Sequence, residues 1–292
     1  MKILITGGSG FIGRNLAAQF RGRHEVAAPA RAELDLLDAE AVRAYLDRHH
    51  FDAVIHAATE RSNRKLGCSP ELLGRNCRMF FNLARNAHAF GRMLFLSSAA
   101  VYGRAHCHPR MLEDEFDAYV PADDYGFSKY VCAKTLDALE RVTELRLFGV
   151  FGPHEEWEVR FLSNACCRAV WDLPVVMRQN VRFDYLDVED LGRILEYFLA
   201  GNLRYRHYNV CAGRCFDLKT LAEKVVKASG KSLEIVIANQ GWGAEYSGDN
   251  TRMLAEIPEF QFREMDDSIE RLYRWYEGQK AAIDPARLRF DG

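Results

Sequence analysis

The sequence predicts an α/β protein built on a doubly wound parallel sheet, with a smaller mixed α/β lobe at its C-terminal end. Three observations carry this. A short apolar strand at the N-terminus runs through a glycine-rich turn into an amphipathic helix. Strand and helix patterns then alternate over the first 150 residues, as they do where a parallel sheet is covered on both faces. Beyond that point the pattern becomes less regular and mixed.

The first unit is the most informative. Ile3, Leu4 and Ile5 make a buried strand, and Gly7, Gly10 and Gly13 follow at intervals of three. Phe11, Ile12, Leu16, Ala17 and Phe20 then recur at helical spacing. In a strand–turn–helix of this kind the first glycine permits the turn, and the second admits a pyrophosphate close to the backbone. The third lets helix and strand pack tightly. The helix N-terminus presents free N–H groups and partial positive charge to a phosphate. This is a Rossmann dinucleotide site, with Gly7, Gly10, Phe11, Ile12 and Gly13 as cofactor contacts.

The next elements continue the alternation. His24–Ala28 reads as a second strand, closed by Pro29, and Asp38 as the N-cap of a helix over 39–49. No acid ends the second strand, and Arg31 lies just past it. An acid there favours NAD, whereas an arginine favours the 2′-phosphate of NADP. The expected cofactor is therefore NADP(H), with NAD(H) as the alternative, and Asp35 and Leu36 flank the adenine. Asp52–His56 is a third strand, and the small residues Ala57 and Ala58 after it leave room for the cofactor. Residues 60 to 70, with Arg61, Arg64 and Lys65, read as a loop over the site.

A helix over Leu72–Phe90 leads to a fourth strand, Arg92–Leu96, which ends in Ser97-Ser98-Ala99-Ala100-Val101-Tyr102-Gly103. Residues 104 to 124 are irregular. Tyr125 opens a helix with apolar positions Tyr130, Val131, Leu136 and Leu139, and Glu144–Phe148 is a fifth strand. Later elements are a helix over 156–173, a strand at Leu173–Met177 and a helix at Asp187–Leu199. A strand at His207–Val210, a helix at Leu218–Ser229, a strand at Leu233–Ile237 and a helix at Asp266–Gln279 follow. We read residues 1–155 as the dinucleotide-binding domain, with 181–211 returning to it, and 156–292 as a substrate-binding lobe.

Composition narrows the classes of function. The 292 residues are 48% hydrophobic and carry a net charge of −2, so no basic excess points to nucleic acid or an anionic membrane surface. No apolar run reaches the roughly 18 residues of a membrane span. The N-terminal apolar stretch is too short for a signal peptide. Eight cysteines, at 68, 77, 107, 132, 166, 167, 211 and 215, form no C-x-x-C pair, which fits a cytoplasmic protein with reduced thiols. His106-Cys107-His108, Cys166-Cys167 and Cys211-x-x-x-Cys215 all lack zinc spacing, so no metal is expected.

Ser98, Tyr125 and Lys129 carry the chemistry. Tyr125 and Lys129 are four apart and share one helix face. An ammonium beside a phenol favours the phenolate and brings the phenol toward use as an acid–base group near neutral pH. A serine hydroxyl at the end of strand four hydrogen-bonds a reacting oxygen in the crevice where the cofactor lies. The set suits hydride transfer at a carbinol or ketone, with Tyr125 moving the proton.

With these residues in place, the chain resembles the extended short-chain dehydrogenase/reductase family of NAD(P)-dependent sugar-nucleotide epimerases, dehydratases and reductases. The resemblance rests on Thr6–Gly13, Val54-Ile55-His56-Ala57-Ala58, Ser97–Gly103, Tyr125-x-x-x-Lys129 and Arg146–Pro153. Tyr185–Leu191 and Tyr208-Asn209-Val210 extend it over most of the chain. It implies Ser98 as the catalytic serine, Tyr125 as the acid–base and Lys129 as its partner. Tyr125 and Lys129 also touch the cofactor. Asn76 matches an asparagine the family often keeps, and Arg31 an arginine that its NADPH-using reductases set against the 2′-phosphate. For the substrate the resemblance implies Ser98, Ala99, Asn164, Arg178 and Arg182, with Arg160 and Arg168 in the same lobe.

Departures narrow the reaction. Family dehydratases carry an Asp-Glu pair after the catalytic serine or threonine; here Ala99 and Ala100 stand there. The family's epimerising fucose-forming reductases carry a cysteine where this chain has Ala100. Gly149 replaces the asparagine of R-x-F-N-x-x-G-P, and Asp187 the histidine of R-D-Y-I-H-V, whose arginine is displaced to Arg182. The expected activity is NADP(H)-dependent reduction of a nucleotide-bound 4-keto sugar. An NAD-dependent 4-epimerase is the alternative, and a non-catalytic cofactor-binding protein a third reading. The resemblance also implies a homodimer joined through helices at 72–90 and 128–142.

Overall fold

A computed structural model describes residues 1–60 and 69–289. Arg61, Arg64, Lys65 and Cys68 lie outside the described residues. The elements run in order β1 (Lys2–Thr6), α1 (Phe11–Phe20), β2 (Glu25–Ala27), α2 (Ala39–His49), β3 (Phe51–His56), α3 (Leu72–Ala84), β4 (Phe90–Ser98) and α4 (Asp124–Ala133). Then come β5 (Val142–Leu147), β6 (Gly149–Phe151), α5 (Phe161–Val170), β7 (Val175–Met177), β8 (Arg182–Asp187) and α6 (Val188–Ala200). The chain continues with β9 (His207–Val210), β10 (Cys215–Asp217), α7 (Leu218–Ser229), β11 (Ile235–Ile237), α8 (Thr251–Glu256) and α9 (Met265–Gly278).

The central sheet has six strands in the order β2-β1-β3-β4-β5-β9, all parallel. Its strands read as near-continuous apolar runs because both faces are covered. On one face Leu16 and Phe20 of α1 pack with Leu191, Ile194 and Phe198 of α6. On the other, Val42 and Leu46 of α2, Phe80 of α3 and Cys132 of α4 close a second cluster. The chain turns from β1 outward to β2 and then back to β3 on the other side. This reversal is the topological switch point, outside whose strand ends ligands bind in sheets of this kind.

Residues beyond β5 divide between two places. β9 hydrogen-bonds β5 and completes the central sheet, and α6 packs on α1. A three-stranded sheet, β10-β8-β6, and the parallel pair β11-β7 lie in the C-terminal lobe. There α5, α7 and α9 bury Leu162, Val225, Ile269 and Leu272 together.

Several elements differ from the sequence reading. The helix expected over 72–90 stops at Ala84, and Phe90 already opens β4. Asn86 ends it: its amide donates to Asn82 O, competing with the helical ladder, while the Asn82 amide ties the last turn to Leu36 O. The helix opening at Tyr125 ends at Ala133, short of Leu136 and Leu139, where the Thr135 hydroxyl donates back to Cys132 O. The helix expected over 156–173 is confined to Phe161–Val170. β6, β8 and β10 were not expected as strands. β8 is disguised by Asp184, a fully buried carboxylate that accepts N–H bonds from Ala212 at 2.9 Å and Gly213 at 2.8 Å. Asp38 caps α2 as its sequence predicts, accepting from Glu40 and Ala41 N–H.

Candidate active site

A cavity of about 890 Å³ opens along the C-terminal ends of β1, β3 and β4. Its floor begins at the glycine turn. Gly7 has φ +71°, a conformation that favours glycine, and its carbonyl accepts the Gly10 N–H at 2.9 Å. A Cβ on Gly13 would lie 2.2 Å from Gly7 O, so only glycine lets α1 pack this close to the turn. α1 has no side-chain cap and no acid in its first turn. Its N-terminal N–H groups are therefore left to an anion from the cavity. Gly7, Gly10, Phe11, Ile12 and Gly13 all line it.

The residues assigned to the adenosine end also meet there. Arg31, Asp35 and Leu36 line the cavity, and Arg31 lies 3.6 Å from the Asp35 carboxylate. The pair is exposed, so it restrains the guanidinium weakly. Ala57 and Ala58 form the adjoining wall. The cradle and the volume of the cavity fit a dinucleotide, with the glycine turn at its pyrophosphate and Arg31 near its adenosine.

Ser98 and Tyr125 line the same cavity. Ser98 ends β4 and caps the following 3-10 turn, Ala99–Tyr102, accepting the Ala100 N–H at 3.2 Å. Tyr125 sits in the first turn of α4, which Asp123 caps by accepting the Gly126 N–H. Lys129 stands behind the phenol: its Nζ is 5.8 Å from the Tyr125 ring centroid and donates to Leu96 O at 3.2 Å. The ammonium is buried and also lies 4.8 Å from the Phe95 ring. Asn76 is buried nearby. Its amide donates to Glu60 O at 3.0 Å and to Ser128 Oγ at 3.3 Å, while its Oδ1 accepts the Glu60 N–H at 2.7 Å. It thereby staples the segment after β3 to α4.

The remaining substrate candidates stand apart from the cavity wall. Ala99, the first residue of the 3-10 turn, is fully buried. The Asn164 amide donates to Trp157 O and Glu158 O, and its Oδ1 accepts from Arg168, so both residues brace α5. Arg178 is exposed at the end of β7, and Arg182 lies over the Trp242 ring at 5.6 Å. The structure instead brings Arg104, Arg160, Phe183, Tyr185 and Tyr246 to the wall. Of these the sequence pointed to Arg160 for the substrate lobe and to Tyr185 only as part of the family motif. Tyr246 follows no motif, and its place depends on the pairing of its segment with β8.

Among the described residues no cluster of three His, Cys, Asp or Glu side chains has metal-binding geometry, and seven cysteines are free thiols. His106 stacks on Tyr119 at 3.7 Å, and His108 Nε2 pairs with Glu115 at 2.6 Å. No described helix is long and apolar enough to cross a membrane.

A Rossmann sheet with a glycine cradle, and a serine and a Tyr-x-x-x-Lys pair at its strand ends, define a nicotinamide-dependent oxidoreductase of the extended short-chain type. Residues 3–211 match the model of the NAD dependent epimerase/dehydratase family, and the chain belongs to that family. It is 27% identical over 264 residues to an ADP-L-glycero-D-manno-heptose-6-epimerase of Cupriavidus pinatubonensis, covering 77% of each chain. A shorter match, 52% over 58 residues, is to a GDP-L-fucose synthase of Azorhizobium caulinodans and spans 20% of this chain and 19% of that one. The fold is also that of a Thermotoga maritima UDP-glucose 4-epimerase (TM-score 0.82, 19% identity, 96% and 99% covered). A Campylobacter jejuni GDP-mannoheptose C4 reductase with NADP bound is comparably similar (TM-score 0.81, 18% identity, 94% and 98% covered).

Proposed function

We propose that this protein is an NADP(H)-dependent reductase of a nucleotide-bound 4-keto sugar. What carries this reading is the meeting of Ser98 and Tyr125 with the glycine turn in one cavity, with Lys129 behind the phenol. Bound in this cleft, reduced nicotinamide supplies hydride. Tyr125 delivers the proton to the ketone oxygen, and the Ser98 hydroxyl hydrogen-bonds that oxygen. The Lys129 ammonium favours the phenolate left after proton transfer. Ala99 and Ala100 supply no acid or base for dehydration. Arg160 faces the cavity and is suited to the substrate's diphosphate.

The test is NADPH consumption with a panel of GDP-, dTDP-, UDP-, CDP- and ADP-linked 4-keto-6-deoxyhexoses. Turnover is expected with at least one, and Tyr125→Phe lowers its kcat by about 10²- to 10⁴-fold, the usual contribution of a general acid. Intact turnover in Tyr125→Phe refutes the assignment. For the cofactor, Arg31→Ala weakens NADPH by roughly tenfold relative to NADH, as loss of a charge-assisted contact to phosphate should. Equal weakening of both removes Arg31 from the 2′-phosphate.

A second reading is NAD-dependent nucleotide-sugar 4-epimerisation; the relatives named as heptose 6-epimerases support epimerisation of a nucleotide sugar, though at a different carbon. It predicts epimer formation with no net change in nicotinamide absorbance, against stoichiometric NADPH loss for the reductase.

A further inference from the structure

β4 ends on two serines, and they differ in their partners. Ser98 Oγ accepts the Ala100 N–H, whereas Ser97 Oγ is buried and makes no hydrogen bond with any described residue. Ser97 is 3% exposed, yet it lines the same cavity as Ser98 and Tyr125. A buried hydroxyl without a partner is destabilising unless something else satisfies it. Among the described residues, one other buried side-chain atom without a hydrogen bond belongs to the cavity wall, Arg75 Nε, and Arg75 is ion-paired with Glu60 at 2.7 Å.

Strand geometry says which side Ser97 serves. Leu94 and Leu96 pack into the cluster formed with α1 and α6, and Met93 and Phe95 into the one formed with α2, α3 and α4. Side chains alternate along a strand, so Ser97 shares the Phe95 face and is turned from the face of Leu96. That is the side from which α4 delivers Lys129. Its Nζ is 4.8 Å from the Phe95 ring and donates to Leu96 O, the carbonyl of the residue before Ser97. An ammonium has three donors, and Leu96 O takes one. An ammonium and a hydroxyl that both donates and accepts thus stand on one side of the strand end. Adjacent hydroxyls, each able to donate and accept, complement such a pair, and a ribose diol supplies them.

We propose that Ser97 contacts the cofactor, its hydroxyl hydrogen-bonding the nicotinamide ribose of the bound dinucleotide beside Lys129. The nicotinamide half is assigned because Ser97 adjoins Ser98, which shares the wall with Tyr125, while Arg31 and Leu36 line the adenosine end of the same cavity. The two serines then have separate roles: Ser98 serves the sugar oxygen and Ser97 the cofactor. The inference rests on the cofactor site of the reading above and is independent of the sugar.

The test is nucleotide binding to Ser97→Ala, measured by calorimetry with NADP⁺ and with adenosine 2′,5′-bisphosphate, which carries the adenosine half alone. The NADP⁺ Kd should rise by about three- to tenfold, the range of one neutral hydrogen bond. The bisphosphate Kd should stay within about twofold of the parent's. Without nucleotide, the variant should melt at or above the parent's temperature, because the substitution removes an unsatisfied hydroxyl. At a fixed NADP⁺ concentration its melting temperature should rise less than the parent's does. Should the parent prefer NAD⁺, then NAD⁺ and ADP take the places of the two ligands.

An NADP⁺ Kd raised by less than about threefold overturns the proposal. Equal weakening of both ligands also overturns it, by placing the role of the hydroxyl in the fold or at the adenosine. So does a lower melting temperature of the free variant, which shows the hydroxyl already satisfied within the protein. Failure of the reductase reading is seen elsewhere: the keto-sugar panel is inert, or Tyr125→Phe retains full turnover, and the binding comparison still decides Ser97.

Discussion

His56 stands at the end of β3 with its ring buried, and burial, with the Lys129 ammonium adding to it, holds its pKa down at about 3. The neutral ring has a defined use. The Ala58 N–H donates to Thr6 Oγ1 at 3.3 Å, and Thr6 Oγ1 lies 2.8 Å from His56 Nδ1. With the ring proton on Nε2, Nδ1 accepts a hydrogen bond from the Thr6 hydroxyl, so one relay ties β1, β3 and the cavity wall together. Because the folded pKa is depressed below the unfolded value of about 6.5, the associated stability is fully present above pH 6.5. It is lost progressively as pH falls toward 3. The urea midpoint of the parent should therefore drop between about pH 6.5 and 4.5 more steeply than that of His56→Gln, which keeps an acceptor but cannot ionise. The other histidines are common to both proteins, so the difference in slope isolates His56. Parallel slopes would show that His56 is not the group responsible. The same scale explains why Ser98, Tyr125 and Lys129 were legible in the sequence: spacing alone brings the last two to one helix face, and a strand's end fixes the first.

The elements around the site are joined by a buried polar knot. Glu144 and Arg146 lie two apart on β5 and therefore share a face. Arg146 Nε donates to Glu144 Oε2 at 2.9 Å, and its NH1 donates to Tyr102 Oη at 2.9 Å and Glu113 O at 3.1 Å. The Tyr102 hydroxyl donates to Asn209 Oδ1 at 2.7 Å, and the Asn209 N–H to Glu113 Oε1 at 2.8 Å. Arg146 is also 4.5 Å from the Phe116 ring. β5, β9, the turn after Ser98 and the irregular stretch that follows are thus pinned to one guanidinium. Removing one member of a buried pair leaves the other uncompensated, so Arg146→Met should destabilise the fold by about 3–5 kcal/mol in denaturant titrations. Arg146→Met combined with Glu144→Leu should be less destabilised than the single variant. A double variant at least as unstable would mean that geometry, not the orphaned charge, sets the cost. This knot was not visible in the sequence, where residues 104 to 124 show no periodicity. Their order comes from partners on other elements.

Over the whole molecule, the order of strands and helices was read closely and their boundaries less so. β9 and α7 fall where their patterns predict, while α3 and α4 end early where Asn86 and Thr135 divert backbone carbonyls of the last turn. β8 was missed because a buried carboxylate breaks its apolar run, and its hydrogen-bond partners at Ala212 and Gly213 lie far along the chain. The cofactor cradle is local in the same sense that α7 is: strand, glycines and helix are contiguous, so their spacing alone dictates close packing and a free helix N-terminus. The far wall of the cavity is not. Phe183, Tyr185 and Tyr246 gather only when β8 pairs with β6 and the 244–246 segment pairs with β8. The sequence by itself determined the Rossmann unit and its family, because the strand, the glycine turn and the helix are written in neighbouring residues. The tertiary structure alone decided that Asn164 and Arg168 brace a helix while Tyr246 reaches the cavity wall, because those placements join segments whose separation in the chain carries no periodic signal.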